Sequence, residues 1–273
     1  MRVTLILLLL VGSLVSNAQY APESAVSLGS GGAGIAGDFF WNGMNNPAAL
    51  AWTEEISAGV GYNTRFMLSE LSDRYFMVAY PRKDNGGTFS INVNQYGFSS
   101  YSLTKGGLAY SRFFGPNFVA ALQFDVFQFN LGDETYGSHT AFTFEGGFQY
   151  KINDKIRLGT QIFNPAEVEL SAYGNEKIPP SIAAGCALTL TEDAVFMVDI
   201  VKEMYRPAAL RTGFSYLVMN TLAIRGGVQT APFSISGGAG LHLKNFEVDF
   251  ATSYHQILGV SPSISLMFHL NKQ

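Results

Sequence analysis

The stretch FEVDFATSYHQILGVSPSISLMFHL, residues 246–270, decides the fold, because apolar and polar side chains alternate along both of its halves. A period of two is typical of a β-strand and cannot arise from a helix. The polar positions include Glu247 and Asp249, and a packed apolar core excludes such unpaired charges. The pattern therefore predicts two strands that face lipid on one side and a polar interior on the other.

The same alternation recurs through most of the chain, for example in FTFEGGFQYK at residues 142–151. We predict about fourteen antiparallel strands between Glu55 and Leu270, closed into an all-β transmembrane barrel. Short connections rich in Asn, Asp, Gly and Pro alternate with longer ones, notably residues 131–137 and 164–180. This asymmetry is typical of an outer-membrane barrel whose short turns face the periplasm, so both termini are expected there. A soluble β-sandwich, in which the Phe-rich faces of two sheets meet, is the alternative fold.

The composition favours the membrane barrel over the sandwich. Hydrophobic residues make up 47% of the 273 residues and aromatic residues 14%. Charged residues also make up only 14%, against roughly 25% in ordinary soluble domains. The net charge of −4 argues against a nucleic-acid partner. Cys186 is the single cysteine, so the sequence contains no disulfide framework.

The N-terminal part of the chain differs from the strands that follow. Residues 1–18 combine Arg2, an apolar run and a small-residue end at Ala18, which predicts a secretory signal peptide cleaved after that residue. Residues 19–53 are rich in Gly and Ala, and we expect them to form a plug inside a barrel of residues 54–273. Within the plug, Asn45 and Asn46 followed by Pro47 predict a capped helical turn over residues 47–51.

These features resemble a known family. The Gly-rich run before Asp38 and the Asn-Pro-Ala-Ala-Leu-Ala box at residues 46–51 are similar to the hatch of FadL-type outer-membrane proteins, in particular the PorV/PorQ-like proteins of Bacteroidetes. The closing strands at residues 253–268 are similar to the same group. The resemblance implies a fourteen-stranded barrel with an N-terminal plug in the cell outer membrane, in contact with its lipid. It implies a binding or accessory role in type IX protein secretion, with secretion-system proteins as partners, or alternatively passive transport of small hydrophobic molecules.

Two sets of side chains are candidates for the functional part of the barrel. Charges predicted on the polar, inward face either pair with each other to fill the lumen or form a polar path and anchors for the plug; they are Arg112, Asp125, Glu145, Arg157, Asp199, Arg211, Arg225, Glu247 and Asp249. Aromatic residues near the predicted outer rim form either an interfacial girdle or a surface that captures a ligand; they are Phe127, Phe129, Phe163, Tyr173 and Tyr205.

The sequence predicts no catalytic, cofactor or metal site, and we expect the protein not to be an enzyme. Gly29, Gly31 and Gly34 match G-x-G-x-x-G, but no strand precedes them as a dinucleotide fold requires. The chain has no nucleophile elbow of the kind found in lipases. None of the four histidines, His139, His242, His255 and His269, has the spacing of a metal site.

Overall fold

A closed barrel of fourteen antiparallel strands forms the protein, in a computed structural model that describes residues 23–82, 86–132, 138–169 and 177–270. The expected signal peptide at residues 1–18 lies outside the described residues. The strands are β1 (Ile56–Thr64), β2 (Ser72–Pro81), β3 (Thr88–Phe98), β4 (Tyr101–Phe113), β5 (Phe118–Leu131), β6 (Ser138–Asn153), β7 (Ile156–Phe163), β8 (Ser181–Thr191), β9 (Ala194–Glu203), β10 (Ala209–Val218), β11 (Leu222–Thr230), β12 (Phe233–His242), β13 (Phe246–His255) and β14 (Gly259–Leu270).

Each strand pairs with its neighbours in sequence, and β1 also pairs with β14, which closes the barrel. Because a closed barrel has no free edge, every strand has a hydrogen-bonded neighbour on both sides. The predicted all-β barrel is therefore confirmed. In the part of the chain that the structure describes, no helix is both long and apolar enough to cross a membrane.

The two faces of the wall differ as the alternation predicts. In β5, Phe124 is 62% exposed on the outer face, whereas its neighbours Gln123 and Asp125 point inward and are buried. An outer surface covered with exposed Phe, Leu, Ile and Val side chains suits the hydrocarbon core of a bilayer.

The two ends of the barrel also differ. One end, here called the turn end, carries the β2–β3, β4–β5, β6–β7, β8–β9, β10–β11 and β12–β13 connections. The other, the loop end, carries the longest connection, residues 164–180 between β7 and β8. The loop end is not uniformly long, since β3 to β4 and β11 to β12 are each joined by two residues. These two connections are as short as those at the turn end. The predicted difference in connection length between the two ends therefore comes from the longer loops, above all residues 164–180.

Residues 23–55, here called the inner segment, lie inside the wall. They form a short helix α1 (Ala25–Gly29) and two 3₁₀ helices, Phe40–Met44 and Pro47–Trp52. The Ser24 side chain caps α1 by accepting a hydrogen bond from the Ser27 amide at 3.1 Å. Asn46 caps the second 3₁₀ helix in the same way, and Pro47 takes its first position, where a missing amide hydrogen costs no bond.

Candidate functional site: the lumen and the inner segment

A carboxylate of the wall holds the middle of the inner segment. Asp199, buried on β9, accepts hydrogen bonds through Oδ2 from the backbone amides of Gly34 at 2.6 Å and Ile35 at 3.0 Å. On the neighbouring strand β10, Arg211 donates to the Gly32 carbonyl at 3.2 Å. Buried backbone groups need partners, and these two charged side chains supply them for a segment that makes no strand.

Glycines on both sides allow the inner segment to approach the wall closely. Gly31 has a φ of +64°, and a Cβ there would lie only 2.6 Å from the Val228 amide nitrogen of β11. On the wall, a Cβ at Gly185 would overlap Asp199 Oδ1 and lie 3.1 Å from the Ile35 Cβ. Backbone therefore packs against backbone at Gly31, and the Asp199 and Ile35 side chains fill the space beside Gly185, so a side chain at either glycine requires displacement.

Replacing Gly185 with alanine should destabilise the barrel by about 1–3 kcal/mol, because the new methyl group displaces the carboxylate that holds the inner segment. Gly106→Ala is the matched control, since Gly106 lies on the outer face of β4 with nothing within 4 Å of an added Cβ. Thermal unfolding in detergent, followed by the migration of folded and boiled protein on a gel, measures both variants. Equal stability of the two would mean that the contact between Asp199 and the inner segment contributes little.

The predicted plug residues lie in the second half of the inner segment. Asn46 donates to the Ile35 carbonyl at 2.8 Å and to the wall carbonyls of Phe148 and Thr160 at 3.3 Å. Asn45 donates to Ser27 Oγ at 2.9 Å, which ties the 3₁₀ helices to α1. The box at residues 46–51 therefore connects both halves of the inner segment to each other and to the wall.

Asp38 forms a second connection nearer the turn end. Its carboxylate lies 2.8 Å from Arg157 Nη2 on β7. The same guanidinium lies 4.5 Å above the ring of Trp52, a cation–π contact. Gln149 of β6 donates to the Ile35 and Gly37 carbonyls at 3.0 and 2.9 Å. Asp38 thus belongs to a set of polar contacts that holds the part of the inner segment between α1 and the first 3₁₀ helix.

The inward charges fall into separate ion clusters. Asp125 and Glu145 both contact Lys105 of β4, a buried cation that the sequence analysis did not include, and the Asp125 distance is 3.4 Å. On the opposite side of the lumen, Arg225 pairs with Asp249 at 2.5 Å. These clusters match the mutual pairing considered for the sequence, whereas Asp199, Arg211 and Arg157 contact the inner segment.

Glu247 lies at the turn end between two histidines. His269 Nε2 lies 3.1 Å and His242 Nε2 3.6 Å from the Glu247 carboxylate. Among the described residues, no group of three or more His, Cys, Asp or Glu side chains has an arrangement that could hold a metal ion.

The prediction for Arg112 was wrong. This residue is exposed and lies on the outer face of β4 with Leu108, while Ser111 is its inward neighbour. Arg112 is one residue from the turn-end limit of the strand, where a long side chain can lie along the wall and reach the headgroup region. It therefore takes no part in the lumen.

The aromatic side chains expected at the outer rim divide between two environments. Phe127 and Phe129 point inward and are buried in an apolar cluster with Leu103, Ala141 and Ile178. Ile178 comes from the long β7–β8 connection, and Phe163 packs against the same cluster. Tyr205 lies outside the strands, where its hydrogen bond to the Glu167 carboxylate raises the pKa of the phenol. Tyr173 lies outside the described residues.

Cavities lie beside the inner segment among the described residues, and the segment lines the three considered below. Two open toward the loop end and share Glu23: cavity A includes Asn63, Arg65, Asp73 and His255, and cavity B includes Ile35, Met44, Phe163, Pro179 and Val201. Cavity C lies at the turn end and includes Phe39, Phe40, Trp41, Trp52 and Glu247. Because the inner segment lies between these spaces, an axial path through the barrel must pass it.

Comparison with solved structures identifies the architecture. The chain superimposes on the Pseudomonas putida toluene transporter TodX with a TM-score of 0.71 at 11% identity, covering 90% of this chain and 98% of that one. The fold is that of the FadL-type outer-membrane barrels. The Ralstonia pickettii toluene transporter TbuX gives a TM-score of 0.70 at 14% identity, covering 92% of this chain and 99% of that one.

A FadL homologue of Pseudomonas aeruginosa has the same FadL-type fold. Its TM-score is 0.68 at 12% identity, and the match covers 91% of this chain and 98% of that one. No family model matches the sequence, and no curated protein does so. At these sequence identities the similarity shows a shared fold only. It does not extend to the side chains that line the lumen.

Proposed function

We propose that this protein is an outer-membrane barrel through which small hydrophobic molecules pass. The observation that carries the proposal is cavity B, where Ile35 and Met44 of the inner segment face Phe163 and Val201 of the wall. Phe163 also packs against the buried apolar cluster of Phe127 and Phe129, so apolar surface continues toward the loop end. Charged side chains, among them Glu23, Lys105 and Glu203, line the rest of the cavity. Apolar side chains together with polar groups in one concave site are usual for the binding of a small organic ligand.

The solved structures of similar fold support the same function. TodX and TbuX are described as toluene transporters, and a TodX variant as a monoaromatic hydrocarbon channel. The solved structures of similar fold give no support to the PorV/PorQ assignment or to a role in type IX secretion. Both therefore stay predictions from the sequence. These neighbours are channels and transporters rather than enzymes, and the expectation that this chain is not an enzyme stays a prediction.

We further propose that the inner segment acts as the plug expected for residues 19–53. It occupies the lumen between the loop-end cavities and cavity C, and Asp199, Arg211 and Gln149 hold it by hydrogen bonds to its backbone. Passage along the barrel axis then requires the segment to move. In this proposal the loop end faces outward from the cell and the termini face the periplasm.

Expression of the protein should raise toluene uptake by intact Gram-negative cells above that of cells carrying an empty vector, because lipopolysaccharide slows entry of apolar solutes. Val201→Phe fills cavity B and should lower the uptake severalfold. Ile200→Phe is the matched control, since Ile200 is the next residue on β9 and faces outward, 56% exposed. Uptake at vector level with the folded wild-type protein in the outer membrane would contradict the proposal.

A further inference from the structure

We infer that the lumen selects against anions, so that the hydrophobic molecules it passes are neutral or carry an ammonium group rather than a carboxylate. The inference rests on the proposed function and names the substrate class more narrowly. Its basis is the charge that lines all three cavities. Eight of the lining side chains are carboxylates, namely Glu23, Asp38, Glu54, Glu55, Asp73, Glu145, Glu203 and Glu247, and four are Lys or Arg, namely Arg65, Lys105, Arg211 and Arg225.

Each of the four lining cations already has an acidic partner. Arg65 lies 3.0 Å from Asp73, and Arg225 lies 2.5 Å from Asp249. Lys105 contacts two carboxylates, Asp125 and Glu145. Arg211 lies 4.0 Å from Glu23 and donates to a backbone carbonyl. An entering carboxylate therefore meets, among the described lining residues, only cations that already have an acidic partner. Two lining carboxylates also have cationic partners, since Asp38 pairs with Arg157 and Glu203 with Arg206, but carboxylates still outnumber cations.

The carboxylates keep unused capacity to accept hydrogen bonds. One oxygen each of Asp125, Asp199 and Asp249 accepts none from the described residues, although all three side chains are buried behind the cavity walls. The Nε atoms of Arg157, Arg211 and Arg225 likewise have no acceptor among the described residues. Asp125 and Asp249 already pair with Lys105 and Arg225, so the excess of negative charge comes from the lining carboxylates. In a narrow lumen with low-dielectric walls the field of such charges is focused, which raises the local concentration of cations and lowers that of anions.

Aromatic side chains in cavity C add a second attraction for an ammonium group. Phe39, Phe40 and Trp41 line it together with Glu54, Glu55 and Glu247, whereas Trp52 and Asp38, which also line it, already contact the Arg157 guanidinium. Cations bind to the faces of such rings, and carboxylates next to the rings strengthen the attraction. The same space offers a carboxylate only Arg225, which is already paired with Asp249, and His269, which already contacts Glu247.

The test compares two probes that have the same phenyl ring and a permanent charge, phenyltrimethylammonium and benzenesulfonate. Neither crosses a lipid bilayer readily, so their uptake into vesicles containing the full-length protein reports on the lumen. We expect the cation to enter about tenfold faster than the anion. The double variant Glu23→Gln/Glu203→Gln, altered at the walls of the loop-end cavities, should bring this ratio toward one. Glu192→Gln, an exposed position in the β8–β9 turn, removes a charge outside the lumen and should leave the ratio unchanged.

Toluene uptake by cells, measured in parallel, separates this inference from the proposed function. Equal entry of the two probes, faster entry of benzenesulfonate, or entry of neither probe overturns the charge selectivity, while toluene uptake above the vector level keeps the proposed function. Toluene uptake at vector level overturns the proposed function itself, whatever the ratio of the two ions.

Discussion

Replacing Lys105 with methionine should lower the free energy of unfolding by about 3–5 kcal/mol, since it leaves buried charge without a counter-ion. Lys105 is 4% exposed and contacts both Asp125 and Glu145, which are themselves buried. Gln123 and Gln161 donate to these carboxylates and cannot neutralise them. The midpoint of urea unfolding in detergent measures the loss.

Two controls make this prediction specific. Lys151→Met removes a lysine from an ion pair with Asp154 near the β6–β7 turn, where Asp154 is fully exposed and Lys151 partly exposed, and it should leave the midpoint of unfolding nearly unchanged. The triple variant Lys105→Met/Asp125→Asn/Glu145→Gln removes the whole cluster charge and should recover most of the lost stability. A Lys105→Met barrel as stable as the Lys151→Met barrel would show that the buried cluster is not held by its cation.

The fold could be predicted from the sequence because the lipid and the lumen impose opposite demands on neighbouring residues. In residues 246–250 apolar and charged side chains alternate. In β13 the apolar ones lie on the outer face of the wall and the charged ones on the inner face. The capped turn at Asn46 could also be predicted, because its hydrogen bond is local and joins the side chain to an amide two residues later. Such features depend only on neighbours along the chain.

The candidate site was harder to predict, because it depends on contacts between distant strands. Lys105 precedes Gly106 and Gly107, so the alternation that assigns a face is lost there. Phe127 and Phe129 lie in a run where apolar residues take both faces, and their burial depends on Ile178 from a connection about fifty residues later. Which charges meet across the lumen depends on the shear of the barrel, which no single strand specifies.

The most direct test of the account locks the inner segment to the wall. A Cβ at Gly29 would lie 3.4 Å from the Ala251 Cβ of β13, close to the separation of about 3.5–4.5 Å in disulfides. We expect Gly29→Cys/Ala251→Cys, in a Cys186→Ser background, to form a disulfide on oxidation. Because the locked segment cannot move out of the lumen, toluene uptake should then fall to the vector level.

Reduction of the same cells with dithiothreitol should restore that uptake, and each single-cysteine variant should transport toluene equally before and after oxidation. We predict toluene uptake that stops when the disulfide forms and returns when it is reduced. Toluene uptake at the unlocked rate by a barrel whose disulfide is fully formed would contradict passage through the lumen past the inner segment.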